Sequence, residues 1–392
     1  MLKLFICLFC IVLFSCSDKM ESQIEDISEY GVNINLIIGL ENQSQEHQLG
    51  IPVAVRTDDE NNIYIADQAS LSIKVFDEKG NYIRTLGGRG KENGKFHEFT
   101  SELMGIDEKG NFVFLDRGKM HFKVITKGGE FVESYPYNIK DQVYPTQVFY
   151  DNWEVIALYM KTKSLNNNIT NDEFERPLFH VHDDEYQKRN YTFLPFHKLG
   201  QKDFIAWTAY VPYPGSFWVS NDKDEIYYSP AIYDCSIHII KKDDNHKWRY
   251  EKKVNGGKPD FETYKSISPE EYQDNKPGYV EIHYGNDGPH RGIFYSFGAG
   301  VYQLNDGKIV HFYGKRSDTN FPPENNKVDI YGQVFDNNFN VVSHSFVEQT
   351  TIEHFANFSL VNWKDKDDNF YLIDTEDGIP VVRRFQLQLP ES

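Results

Sequence analysis

The residues best placed to do chemistry fall into a few short runs. His180 and His182 stand two apart in PLFHVHD, a spacing that puts both imidazoles on one side of a strand. Zinc would want at least one further ligand, and Asp183 and Asp184 follow, but the pair reads more simply as solvent-facing on a strand that ends in an acidic turn. Asp365 to Asn369, DKDDN, echoes the start of a calcium loop, with Glu376 at the twelfth place. Phe370 occupies the sixth place, where that loop needs glycine, so the run is read as a turn that opens a strand. In KENGKF, Gly94-Lys95 suggests a phosphate loop, but Arg89 and Phe96 stand where glycine and a hydroxyl residue are required. Cys7 and Cys10 form a CxxC inside an apolar leader and are read as part of it. No GxSxG or HExxH signature occurs, and the 13 histidines are scattered.

The best candidate for a site is aromatic. Trp207, Tyr210, Tyr213 and Trp218 cluster in and just after QKDFIAWTAYVPYPG, and His290 and Arg291 lie in a second aromatic stretch, EIHYGNDGPHRGIFYSFGAG. Ring faces beside a few polar donors suit a sugar, a peptide or another protein's side chains. The plainer reading is that these rings plug a channel mouth or pack between structural units.

The elements that must position them are short strands. From residue 53 the chain runs VAVRT, IYIAD, IKVFD and YIRTLG, broken by DDENN, QASLS and EKGN. Such runs, rich in Ile, Val, Tyr and Phe and separated by Asp/Asn/Gly clusters, are strand–turn–strand signals. Four antiparallel strands in about forty residues make one propeller blade, a unit that cannot bury both faces alone and so has to recur. It does: GIDEKGNFVFLDRGKMHFKVITKGGEFVESY repeats the order, with Asp116 matching Asp67 and Lys123-Val124 matching Lys74-Val75. This pattern resembles NHL repeats over roughly residues 50–135, and the resemblance implies a six-bladed propeller. With 40% hydrophobic and 15% aromatic residues, 392 residues support a large core without any helical periodicity.

The fold expected is therefore all-β, a six-bladed β-propeller whose last blade is closed by the N-terminal strand. Its blades lie at about 50–100, 101–140, 145–200, 215–255, 299–347 and 358–389, with an insertion at 255–298 in which ISPEEYQDN reads as a short helix capped by Ser268. The final unit has three strands where a blade needs four, and VNINLIIGL within 32–40 supplies the fourth, removing an open edge. In this arrangement the linkers between blades share one face, and the aromatic runs, including Phe96 to Phe99 and Glu353 to Phe355, fall in those linkers.

Residues 1–15, with Lys3 followed by the apolar run Leu4 to Phe14, read as a secretory signal too short to span a membrane. Leu13-Phe14-Ser15-Cys16 resembles a bacterial lipobox, which implies lipidation of Cys16, with 16–31 as a tether leading to a propeller of 32–392. The mature chain would keep only Cys16 and Cys235, too few for a structural disulfide. Net charge is −18, and loss of Lys3 makes it −19. That balance disfavours nucleic acid, whose binding rests on Lys/Arg contacts to phosphate, and leaves acyl chains as the membrane contact. The whole is similar to six-bladed propeller lipoproteins of Bacteroidota, which implies an outer-membrane anchor facing periplasm or exterior. The expected role is a non-catalytic binding module, using its linker-rich face for a protein, peptide or glycan and needing no cofactor. The alternative is a metal-dependent lactonase or arylesterase with a cation, such as calcium, in the central channel. That enzyme would need carboxylate and amide oxygens converging there, and apolar rings would argue against it.

Overall fold

The turns come first, because their chemistry sets the strands. Among the described residues, five hairpins carry Asp-x-x-x-Asn, and in each the Asp carboxylate accepts backbone N–H groups two and four residues on. Asp58 accepts from Glu60 and Asn62 at 3.0 and 2.9 Å, Asp77 from Lys79 and Asn81, and Asp107 from Lys109 and Asn111. Asp336 and Asp365 repeat the pattern with Asn340 and Asn369. An Asp that satisfies its own turn competes with helix and fixes where the chain reverses. The DKDDN run is one of these turns: Asp365 also takes the Asn369 amide and the Tyr371 hydroxyl.

The computed structural model describes residues 29–137, 145–151, 153–159, 176–183, 188–200, 213–256, 261–273, 279–283, 289–317, 326–351 and 360–389. The leader and Cys16 lie outside these residues. After β1 (Gly31–Ile38) come six blades of antiparallel strands. Blade one is β2 (Pro52–Thr57), β3 (Ile63–Asp67), β4 (Ser72–Phe76) and β5 (Tyr82–Gly87), and blade two is β6 (Phe99–Ile106), β7 (Phe112–Asp116), β8 (His121–Ile125) and β9 (Phe131–Pro136). Blade three is β10 (Pro145–Asp151), β11 (Glu154–Tyr159), β12 (Pro177–Asp183) and β13 (Arg189–Pro195). Blade four is β14 (Gly215–Val219), β15 (Glu225–Pro230), β16 (Ser236–Lys242) and β17 (Trp248–Asn255). An inserted three-stranded sheet, β18 (Tyr264–Ser266), β19 (Tyr279–His283) and β20 (Pro289–Phe294), precedes blade five, which is β21 (Ser296–Gln303), β22 (Ile309–Arg316), β23 (Lys327–Phe335) and β24 (Val341–Thr351). Blade six is β25 (Val361–Lys364), β26 (Phe370–Glu376) and β27 (Ile379–Gln388), completed by β1.

The N-terminal strand closes the ring as its sequence implied. Gly31 pairs with Gln388 and Ile38 with Val382, antiparallel, so β1 is the outermost strand of blade six. Just ahead of it, Tyr30 is buried; its hydroxyl donates to the Gly332 carbonyl at 2.8 Å and its N–H to Ser345 Oγ at 2.6 Å, latching the chain onto blade five. The innermost strands β2, β6, β10, β14, β21 and β25 pack in turn around the axis, and β25 meets β2 again. Between blades the core is apolar. Tyr64 of blade one meets Phe112 of blade two at 4.6 Å, and Ile38, Tyr371 and Val382 of blade six pack with Val55 and Ile63 of blade one. Each such side chain is worth about 1.5–3 kcal/mol when fully buried.

Three expectations need correction. ISPEEYQDN is not a helix where it is described. Ser268 does receive Glu271 in capping-box fashion, its N–H donating to the carboxylate at 2.8 Å, but residues 269–271 form a turn only. One turn is a helix nucleus, which is unfavourable unless propagated. The insertion forms a sheet of its own, and blade five begins at Ser296, inside the stretch assigned to the insertion. His182 does not face solvent: it is buried, with Nε2 2.8 Å from the Tyr159 hydroxyl, and burial holds its pKa down at about 4.

Candidate functional site at the channel mouth

Every innermost strand runs from the linker face toward the hairpin face, so its last residues ring the hairpin-side mouth of the channel. Those residues include Arg56, Ile106, Phe149, Trp218 and Trp363, each within two residues of a strand end. With Met104, Gln147 and Val219 they line a cavity of about 100 Å³. Phe149, Phe217, Trp218 and Trp363 supply rings to its wall. Trp218 lies 5.4 Å from Trp363 and 5.1 Å from Tyr302, centroid to centroid, both nearly edge-on.

The polar groups around this mouth are tied down. Arg56 is only 6% exposed; its guanidinium sits 4.6 Å from the centre of the Trp363 ring, and Nη1 donates to the Val55 carbonyl and Asn362 Oδ1. Trp363 Nε1 donates to Thr57 Oγ1 at 2.9 Å. Gln147 bridges β10 to β14, donating to the Phe217 carbonyl at 2.7 Å and accepting its N–H at 2.9 Å. Lys364 stands 5.9 Å from the Trp218 ring and is paired with Asp368 at 2.6 Å. Trp218 is different. Its Nε1 is buried and has no acceptor among the described residues. The described lining holds one guanidinium, one amide and no carboxylate.

The sequence-derived candidates occupy separate neighbourhoods. Tyr213 is 1% exposed, with its hydroxyl donating to the Gly298 carbonyl at 3.2 Å, packed in the core on the linker side. Trp218 is the fourth residue of β14 and belongs to the channel mouth at the opposite face. Arg291 is engaged within the inserted sheet, 2.5 Å from Glu281 and 5.4 Å from the Tyr272 ring, beside His290 on the same strand. Trp207 and Tyr210 lie outside the described residues, as do Glu353 to Phe355. Arg56 and Trp363 were missed. The signal for them was positional: VAVRT and LVNWK both read as innermost strands, and the residues near their ends had to meet at the axis.

Among the described residues no group of three His, Cys, Asp or Glu side chains is arranged to hold a metal ion, His180 and His182 included. A second concavity, about 260 Å³, opens on the hairpin side between blades two and three. Tyr135, Tyr150 and Trp153 line it with Glu133 and Glu154, and Trp153 is 68% exposed.

No family model matches this chain, and no curated protein matches it. Solved structures do. A member of the DUF4221 family from Bacteroides vulgatus superposes with a TM-score of 0.55 at 9% identity, covering 93% of this chain and all of that one. A Bacteroides fragilis protein assigned as exported gives 0.51 at 10% identity, covering 91% and 96%. The similarity is one of fold. A gluconolactonase from Xanthomonas campestris aligns at 8% identity over 86% of this chain with a TM-score of 0.43, too low to carry an argument about activity.

Proposed function

We propose that this chain is a non-catalytic binding module of the cell envelope, held to the outer membrane through a lipidated Cys16. The observation that carries the binding reading is the hairpin-side mouth, where rings from separate blades and a buried guanidinium enclose a cavity large enough for part of a small molecule or a side chain. Pockets of this make-up, mostly apolar with a few fixed polar groups, are the usual small-ligand sites of folded proteins. The linker-rich face stays a second surface for a protein, peptide or glycan. The envelope reading draws on the N-terminal leader and on the similarity to the exported Bacteroides fragilis protein. The cation-centred hydrolase finds no support in the described lining, because a guanidinium and indole rings replace the oxygen donors that calcium takes.

The test is a thermal-shift screen of the purified chain against small aromatic compounds, sugars and short peptides, with tryptophan fluorescence as a second signal. Ligands at the mouth should raise the melting temperature and change emission in the parent but not in a Trp363→Leu variant. Shifts that persist in that variant would move the site elsewhere, and a screen with no hits would sink the reading. For the anchor, Cys16→Ala should release the protein from the membrane fraction of the producing cells.

A further inference from the structure

We propose that the concavity between blades two and three binds a small organic cation, an alkylated ammonium held by ring faces and carboxylates. It shares no described lining residue with the channel mouth, so the two sites can fail independently.

Charge complementarity sets the sign of the ligand. The carboxylates of Asp107, Glu108, Glu133, Asp151 and Glu154 line this concavity against the single ammonium of Lys109. Three of them are engaged by the fold. Asp107 closes its own turn, Glu154 takes the Asn190 amide at 3.1 Å, and Asp151 pairs through Oδ2 with Lys242 at 2.9 Å. Glu108 and Glu133 are exposed, and neither carboxylate has a hydrogen bond or ion pair among the described residues. Their charge is left for something outside the fold.

A second observation comes from Asp151, whose side chain is 5% exposed. Lys223 Nζ stands 3.5 Å from its Oδ1, yet that oxygen accepts no hydrogen bond among the described residues. A buried acceptor without a donor calls for an explanation. A donor on a ligand in the concavity would complete it.

Ring faces suit the same ligand. Trp153, 68% exposed, lies on the wall with Tyr135 and Tyr150, whose hydroxyls are 3.4 Å apart. A cation over such rings is attracted by their quadrupole, most strongly over an indole. Trp153 also has φ 66°, in left-handed backbone that disfavours a bulky side chain. The matching turns of the other blades place Asn61, Gly110, Lys223, Gly307 and Asp368 there. With its ring largely in solvent, Trp153 gives the core little, and strain kept without packing is a mark of functional positions. At about 260 Å³, the concavity admits a whole small cation.

The experiment titrates the purified chain at neutral pH and low salt with choline and with 3,3-dimethylbutan-1-ol, which has the same shape without the charge. Calorimetry gives the affinities. Choline should bind at least about tenfold more tightly than the alcohol, and its affinity should fall as salt is raised. Trp153→Gly deletes the ring and relaxes the turn, so it should lose about tenfold in choline affinity while melting no lower than the parent. Glu108→Gln combined with Glu133→Gln should weaken choline about three- to tenfold and leave the alcohol unchanged. Equal affinities for choline and the alcohol would overturn the proposal, as would a parent protein that binds no choline. Choline binding that survives intact in Trp153→Gly would put the cation elsewhere and overturn it too. The choline–alcohol comparison needs only the parent protein, so a variant that fails to fold leaves the test intact.

Discussion

Two seams between blades are built from different chemistry. At the junction of blades one and two, charge holds the linker. Asp116, fully buried at the end of β7, accepts the backbone N–H groups of His97 and Glu98 and pairs with Lys123 at 2.8 Å, while Lys123 also donates to the Lys95 carbonyl. Blade one has the same device, with Asp67 taking the N–H groups of Gly50 and Ile51 and Lys74 the carbonyls of Glu46 and Gln48. At the junction of blades four and five the buried polar groups are neutral. Ser229 Oγ and His311 Nε2 share a 2.7 Å hydrogen bond across the seam, Tyr233 stacks on Tyr313 at 3.8 Å, and the Tyr313 hydroxyl meets His344 Nε2 at 2.8 Å. The contrast shows that one blade topology tolerates either solution. The two solutions should differ in what breaks them.

The charged seam should be the more fragile to mutation. Asp116→Ala leaves Lys123, 4% exposed, without its counter-ion, and should cost about 3–5 kcal/mol in urea unfolding. Burial alone would raise the Asp116 carboxyl, but the Lys123 ammonium and the linker N–H groups outweigh it and hold its pKa below the ordinary value. This seam should therefore keep its strength until the pH is strongly acid.

The neutral seam should weaken earlier. Burial pushes the pKa of His238 and His311 below the ordinary 6.5, as it does for His182. Unfolded histidines bind protons that these folded ones refuse, so stability falls as pH drops from about 6.5 toward the lower folded values. Each displaced unit is worth about 1.4 kcal/mol at most. Melting temperatures measured from pH 7 to pH 4 should decline, and the slope should shrink in His238→Phe, whose parent ring has no hydrogen-bond partner among the described residues. An unchanged slope would show that the histidines are not the cause.

A smaller effect tests whether one neutral bond matters at the ring closure. Tyr30→Phe removes the bond to Gly332 and should cost about 1 kcal/mol in chemical denaturation. The smallest change should be favourable. Each blade's first turn contains a residue in left-handed backbone, namely Asn61, Gly110, Trp153, Lys223, Gly307 and Asp368. Trp153 has φ 66° and is exposed, so Trp153→Gly should stabilise by up to about 1 kcal/mol, away from both seams.

Much of the fold was legible because local signals agreed with one another. Asp-x-x-x-Asn turns punctuate apolar alternation, and a three-strand final unit calls for the unpartnered N-terminal run. The inserted sheet was not legible: β18 has only three residues, Tyr264–Ser266, too few to show a period. Histidine placement also escaped the sequence. Alternation puts His180 and His182 on one side of β12 but does not say that a neighbouring Tyr159 covers that side. For the site, the aromatic residues were visible and their grouping was not. Trp218 sits only five residues after Tyr213, yet one chain turn and half a strand carry the two to opposite faces of the ring. Arg56 drew no notice because an arginine in a strand is ordinary until the axis brings it against Trp363.

The Tyr30 latch also has a mechanical consequence. Because β1 runs antiparallel to β27 and starts opposite Gln388, the chain enters the propeller on the hairpin side. A pull on the polypeptide upstream of Tyr30, directed along β1, would load the rungs of the β1–β27 ladder together in shear, with the Tyr30 bonds first in line. Any attachment upstream would then grip the molecule at the ladder that closes the ring and hold the Trp218–Trp363 opening toward the point of attachment.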